Sequence, residues 1–212
     1  LRIPTNEETA AWRTAREKAY QKALPSLTKK AKDGIIPSID EFPFEYDGPE
    51  NLFSSHTDRF LIDGKDIRTF LMEVPKGDYV IYGISFAGRT LITCNCLGTV
   101  SFPVRAGVIT DLGTLYADKV HNQSPLSPLE SNIGPSMARY GFIMGQALVP
   151  PTPTDAKPEI LKHLSVENAN LKAVGPFQDP LAMSINRLAP IADVLAYDHG
   201  KVIDVKSGNT AP

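Results

Sequence analysis

IRTFLMEVPKGDYVIYGISFAGRTLITCNCLGTVSFPVRAGVITDLGTLY, residues 67–116, is the stretch that decides the fold class. Short runs of β-branched and aromatic residues are cut by turn chemistry at Pro75-Lys76-Gly77-Asp78, Ala87-Gly88, residues 95–98 and Arg105-Ala106-Gly107. Strand-length runs at roughly ten-residue spacing, with glycine-bearing turns between them, are the grammar of an antiparallel sandwich or barrel. Val80, Tyr82, Ile84 and Phe86 alternate onto one face, and Val100, Phe102 and Val104 onto another, the period of two of half-buried strands. The expectation is a mainly β protein. It has an antiparallel β-sandwich of about six to eight strands, an N-terminal helix and a long irregular, proline-rich C-terminal region.

Within that stretch, PKGDYVIYGI (75–84) carries a P-x-G-x-Y start to one strand. GTVSFPVRAGVITDLGTL (98–115) carries an F-x-V-x-x-G-x-x-x-x-L-G exit from another. In these two motifs residues 67–116 resemble the transthyretin-like sandwich modules of bacterial envelope proteins, the carboxypeptidase-regulatory-like and PEGA-type domains. The resemblance implies an extracytoplasmic, non-catalytic scaffold. It does not reach the helical start or the proline-rich end.

Outward from this core, Thr5-Asn6-Glu7-Glu8 has the form of a capping box. A helix rich in Ala, Arg, Glu, Lys and Gln should follow to about Leu24. Trp12, Ala15, Ala19, Ala23 and Leu27 make a narrow stripe suited to docking on a sheet or on a partner. Pro25 predicts a break, and a short second helix ending before Gly34. Phe42, Phe44 and Tyr46 alternate around Pro43 as an edge strand would. Asp63-Gly64 predicts a hairpin turn, and so does Asp198-His199-Gly200 between runs 194–197 and 201–205. Seven of the 18 prolines are Pro125, Pro128, Pro135, Pro150, Pro151, Pro153 and Pro158. The run VPPTPTDAKP (149–158) reads as a polyproline-like strap or spacer. The organisation expected is a helical segment at 1–34, the sandwich at 35–117, the strap at 118–158, a segment with a short hairpin at 159–206, and a tail at 207–212.

With 22 Lys and Arg against 24 Asp and Glu, the chain lacks the clustered positive charge that nucleic acid demands. Lys29, Lys30 and Lys32 read as a solvated helix end. No apolar run approaches the roughly 20 residues that span a bilayer. A chain starting at Leu1 suggests a processed product or a trimmed one, so the missing signal peptide says nothing.

Candidate chemistry is sparse. Gly83-Ile84-Ser85-Phe86-Ala87 resembles a nucleophile elbow, but a β-branched run follows where a helix should stand, so Ser85 reads as an ordinary strand residue. Asp193 or Asp198 with His199 completes a triad only on paper. Cys94-Asn95-Cys96 matches no zinc spacing. In an extended strand alternate Cα atoms lie roughly 6.6 Å apart, too far for comfortable bridging, so the two cysteines are expected to be reduced and unjoined, with a redox bridge as the alternative. His56, His121, His163 and His199 form no ligand pair, and Asp63, Asp66, Asp78 and Asp111 lack calcium-loop spacing. Asn122-Gln123-Ser124 matches the glycosylation pattern by chance.

The function expected is therefore a non-enzymatic structural or interaction subunit of a cell-envelope or surface assembly, extracytoplasmic, without catalytic residues, cofactor or metal. Its partners are other protein subunits, in a homo- or hetero-oligomeric assembly. Trp12, Leu126, Leu129, Phe142, Ile143 and Met144 are the candidate partner-binding residues, because a strap in water would leave its apolar side chains uncovered. With Ile133, Leu148 and Val149 included, the segment either folds back over the sandwich or is ordered by another chain, and the second is the favoured expectation. The alternatives are a small-ligand module using the aromatics of residues 42–46, and a serine hydrolase using Ser85.

Overall fold

The computed structural model describes residues 1–31, 34–54, 60–64, 68–86, 91–116, 146–152, 155, 157–177 and 184–211. The chain divides into two compact units, Arg2–Asp58 and Leu1 together with Arg59–Pro212.

The first unit is built on helix α1, Asn6–Lys30. The capping box forms as expected: Glu8 N donates to Thr5 Oγ1 at 3.1 Å and Thr5 N donates to Glu8 Oε2 at 2.8 Å. Arg2 Nη2 donates to the other Glu8 oxygen at 2.6 Å. The predicted break at Pro25 does not occur; α1 runs through it to Lys30. Proline withholds one N–H from the Gln21 carbonyl, but no residue of α1 is buried, so water can serve that carbonyl. The half-buried face of α1 meets residues 37–42. Tyr20 stacks edge-on against Phe42 at 5.5 Å and its hydroxyl donates to Pro37 O at 3.0 Å. Arg16 Nη2 donates to Asp40 O at 2.7 Å. Residues 42–46 are not the predicted edge strand: Phe42 and Phe44 are half-buried and Pro43 and Glu45 exposed, but Tyr46 is exposed as well, and no ladder partner pairs with them.

The second unit holds the sheets. In chain order its strands are β1 (Ile62–Asp63), β2 (Arg68–Thr69), β3 (Gly77–Val80), β4 (Gly83–Phe86) and β5 (Leu91–Cys94). Next come β6 (Thr99–Val104), β7 (Ile109–Asp111), β8 (Thr114–Tyr116), β9 (Ala147–Val149) and β10 (Val166–Asn168). The last are β11 (Lys172–Val174), β12 (Ser184–Ile185), β13 (Leu195–Asp198), β14 (Lys201–Asp204) and β15 (Asn209–Thr210). They form small sheets ordered β11-β6-β3, β12-β5-β4 and β13-β14-β15, with the pairs β1-β2, β7-β10 and β8-β9. Pairing is antiparallel except for β7 with β10 and β5 with β12. The chain is thus mainly β with one N-terminal helix.

The single face predicted for Val80 through Phe86 is divided between two sheets. Ile81 N still donates to Val100 O, but Asn95 N takes Tyr82 O, and β4 pairs with β5 instead of β6. Gly83, at φ +153°, makes the crossing; a Cβ there would collide with Thr93 O. The face of Val100, Phe102 and Val104 is as read, with Val100 and Phe102 buried and the Phe102 ring stacked on Tyr79 at 6.0 Å. Pro103 fits inside β6 for a reason of register. The Ile81–Val100 bond makes Asp78–Pro103 a non-hydrogen-bonded pair, so the absent N–H points away from β3. On that other side β11 pairs only with Thr99, Val100 and Ser101.

The hairpin of β13 and β14 forms as predicted, with His199 at φ +45° and Gly200 at φ +83°, the two positive angles of a type I′ turn. The tail read at 207–212 instead carries β15, and Ala211 N donates to Val202 O at 2.8 Å. Leu148 and Val149, expected to need another chain, lie in β9 and pair with β8, and Leu148 is buried by this chain itself. After β9, Pro151 and Lys157 are tied to β10: Asn168 Nδ2 donates to Pro151 O at 3.4 Å and Lys157 Nζ to Val166 O at 2.9 Å.

Candidate functional site

The residues with most chemistry in the sequence are gathered at one turn, 94–98, between β5 and β6. Asn95-Cys96-Leu97-Gly98 closes by Gly98 N donating to Asn95 O at 3.1 Å. That turn overturns the expectation for the cysteines: Cys94 and Cys96 are joined in a disulfide, with Cα atoms 5.2 Å apart. Strand spacing does not apply, because only Cys94 is in the strand. The chain bends at Asn95, shortening the separation into the range a bridge accepts.

Several peptides of this turn are bonded to other segments of the unit. Asn186 N donates to Cys94 O at 2.7 Å and Leu97 N donates back to Asn186 O at 2.9 Å. Phe177 N donates to Cys96 O at 2.9 Å, and Leu188 N to Gly98 O at 2.9 Å. Asn95, itself buried, donates through Nδ2 to Gln146 Oε1 at 2.8 Å, and Ala189 N donates to Gln146 O at 2.8 Å. Gln146 is 2% exposed, and its Nε2 has no hydrogen-bond partner among the described residues. Tyr197 closes the far side: its ring lies against Gly98, its hydroxyl donates to Leu188 O at 2.7 Å, and the Arg187 guanidinium sits 5.1 Å over the ring. Burial raises the Tyr197 phenol well above its ordinary pKa, against the opposing pull of Arg187, so it remains a donor.

Chemically this is a staple. Cys94 is 0% and Cys96 2% exposed, so neither sulfur offers an external thiol a line of attack, and a bridged pair ligates no metal. The closed loop is so short that the chain-entropy effect on the unfolded state is only about 1.5 kcal/mol. Its larger consequence is to fix the turn to which residues 146, 177 and 186–188 are bonded.

No family model, curated protein or solved structure matches this chain.

The other sequence candidates are dispersed. Trp12 lies on α1, 36% exposed, with the Arg16 guanidinium 4.9 Å over its ring. Leu126, Leu129, Phe142, Ile143 and Met144 lie outside the described residues, as do His56, His121 and Asn122. Ser85 is in β4, paired with Ile92 of β5, so its backbone context is strand to strand. His199 and Asp198 are exposed at a hairpin tip, 3.6 Å apart, and Asp193 occupies a turn at φ +59°. Phe44 and Tyr46 lie 6.0 Å apart and tilted, while Phe42 is engaged by Tyr20. Asp111 accepts from Gly113 N at 2.9 Å and so shapes its own turn. Among the described residues no group of His, Cys, Asp and Glu is placed to hold a metal, and no helix is long and apolar enough to cross a membrane. The sequence missed Gln146 and Tyr197; nothing local marks either as a partner of residues 94–98.

Proposed function

We propose that this protein is a non-enzymatic structural or interaction subunit of an extracytoplasmic assembly, its small sheets stacked as a transthyretin-like β-sandwich. The observation that carries the reading is the Cys94–Cys96 bridge, buried at the junction of the turn network. A structural disulfide persists in oxidising compartments such as the periplasm or cell surface and is rare where thioredoxin and glutathione keep thiols reduced. The reactive pair of the sequence is thereby committed to holding the fold. Support for an interaction role comes from Phe70, Leu71 and Met72, three consecutive exposed apolar residues before β3, and from exposed Ile185 on β12. Contiguous exposed apolar side chains are a mark of surfaces that meet other proteins.

Light scattering of the protein isolated from its source without disruption tests this. The expected mass exceeds one chain, and Leu71→Asp lowers it while leaving the far-ultraviolet CD spectrum unchanged. A single-chain mass for the undisturbed material, or its recovery from the cytoplasmic fraction, overturns the proposal.

A further inference from the structure

The bridge at Cys94 and Cys96 is placed where it can be made but not easily unmade. We infer that it is an oxidative-folding latch: closing it fixes the turn that holds residues 177 and 186–189 and the start of β9, and packing then seals it. The bond partners define what is latched. Cys94 O, Cys96 O, Leu97 N and Gly98 O hold Asn186, Phe177 and Leu188, while Asn95 Nδ2 donates to Gln146, whose own carbonyl accepts from Ala189 N. Cys94 ends β5 and residues 95–98 form one short turn, so a change in its shape displaces several partners together. With the sulfurs 0% and 2% exposed, exchange in the folded state requires the latched segments to open first.

The chemistry is dithiol–disulfide exchange with a disulfide donor of the thioredoxin-like class. The thiolate of one cysteine attacks a donor sulfur, breaking the donor's S–S bond and forming a mixed disulfide. The second cysteine's thiolate then attacks the first cysteine's Sγ, forming the Cys94–Cys96 bond and releasing the donor as a dithiol. The chain loses two electrons and two protons, and the donor gains both. The inference concerns folding and holds whatever the protein binds.

Two measurements on the full chain test it. In dithiothreitol without denaturant, followed by alkylation and intact mass, the bridge should survive at least about tenfold longer than in denaturant. Protein reduced in denaturant and refolded in reductant should exchange the amides of Phe177, Asn186, Leu188 and Ala189 about tenfold faster or more, while the β13–β14 amides keep their protection. The double variant Cys94→Ser/Cys96→Ser should give the same pattern without reductant; if it does not fold, the reduced wild-type chain decides. Native reduction as fast as in denaturant overturns the latch. So does exchange at those four amides within about twofold of the oxidised protein, or loss of protection that includes the hairpin.

Discussion

At Gly98 the backbone passes beneath the Tyr197 ring at φ +151°, so that a Cβ would lie 2.6 Å from ring carbon Cε1 and from the hydroxyl oxygen. Tyr197 cannot swing away without giving up its bond to Leu188 O and exposing the core around Leu188 and Leu195. Gly98→Ala should therefore destabilise by about 1–3 kcal/mol, the cost of overpacking a filled site, with backbone strain added. Urea unfolding of the variant beside Gly107→Ala separates the two causes, because at Gly107 a Cβ meets nothing within 4 Å and only the positive φ of +74° is strained. Equal losses at both glycines would show that the Tyr197 contact contributes nothing.

Among the elements, α1 is held at its start by a triad of Arg2, Thr5 and Glu8. The Arg2 guanidinium, then the Thr5 backbone N–H, hold the Glu8 carboxyl below its ordinary value of 4.5. A lowered folded-state pKa means the stabilisation is fully present above that ordinary value. It is lost as pH falls through the folded value. Helix CD at 222 nm should thus weaken between pH 5 and pH 3 more in the native protein than in Glu8→Gln, and Thr5→Ala should cost about 1 kcal/mol at neutral pH. An identical acid profile for Glu8→Gln would remove Glu8 from the account. This cap was legible in sequence because it is local, as was the hairpin turn at Asp198-His199-Gly200. The fate of Val80 through Phe86 was not: alternation gives the faces of a strand, but only the bonds of Ile81 and Asn95 reveal that the chain changes sheets at Gly83. The bridge was misjudged for the same reason. The spacing of two cysteines sets their Cα distance only once the backbone between them is known, and the bonds that bend Asn95 come from Tyr82 and Gly98. Gln146 and Tyr197 lie 51 and 102 residues from Asn95, and long-range partners leave no period in a sequence.

On the scale of the molecule the two units differ in what holds them. Among the described residues of Arg2–Asp58 only Arg2 is buried, whereas the other unit buries Val100, Leu148, Leu188, Leu195 and Val202 around the bridged turn. Apolar burial at roughly 25 cal/mol per Å² is the main term favouring folding, so the helical unit relies on its cap, helix propensity and the Tyr20–Phe42 packing. Isolated helices are marginal in water, and Pro25 costs this one a further ~3 kcal/mol relative to alanine. Two separate transitions in urea are expected. Trp12, the single tryptophan, reports the first, and exchange of the Leu188 and Ala211 amides reports the second. Pro25→Ala should move the Trp12 transition to higher urea and leave the amide transition in place. Coincident midpoints for the two probes, moving together in Pro25→Ala, would mean that the helical unit draws its stability from the core of the sheets and does not unfold on its own.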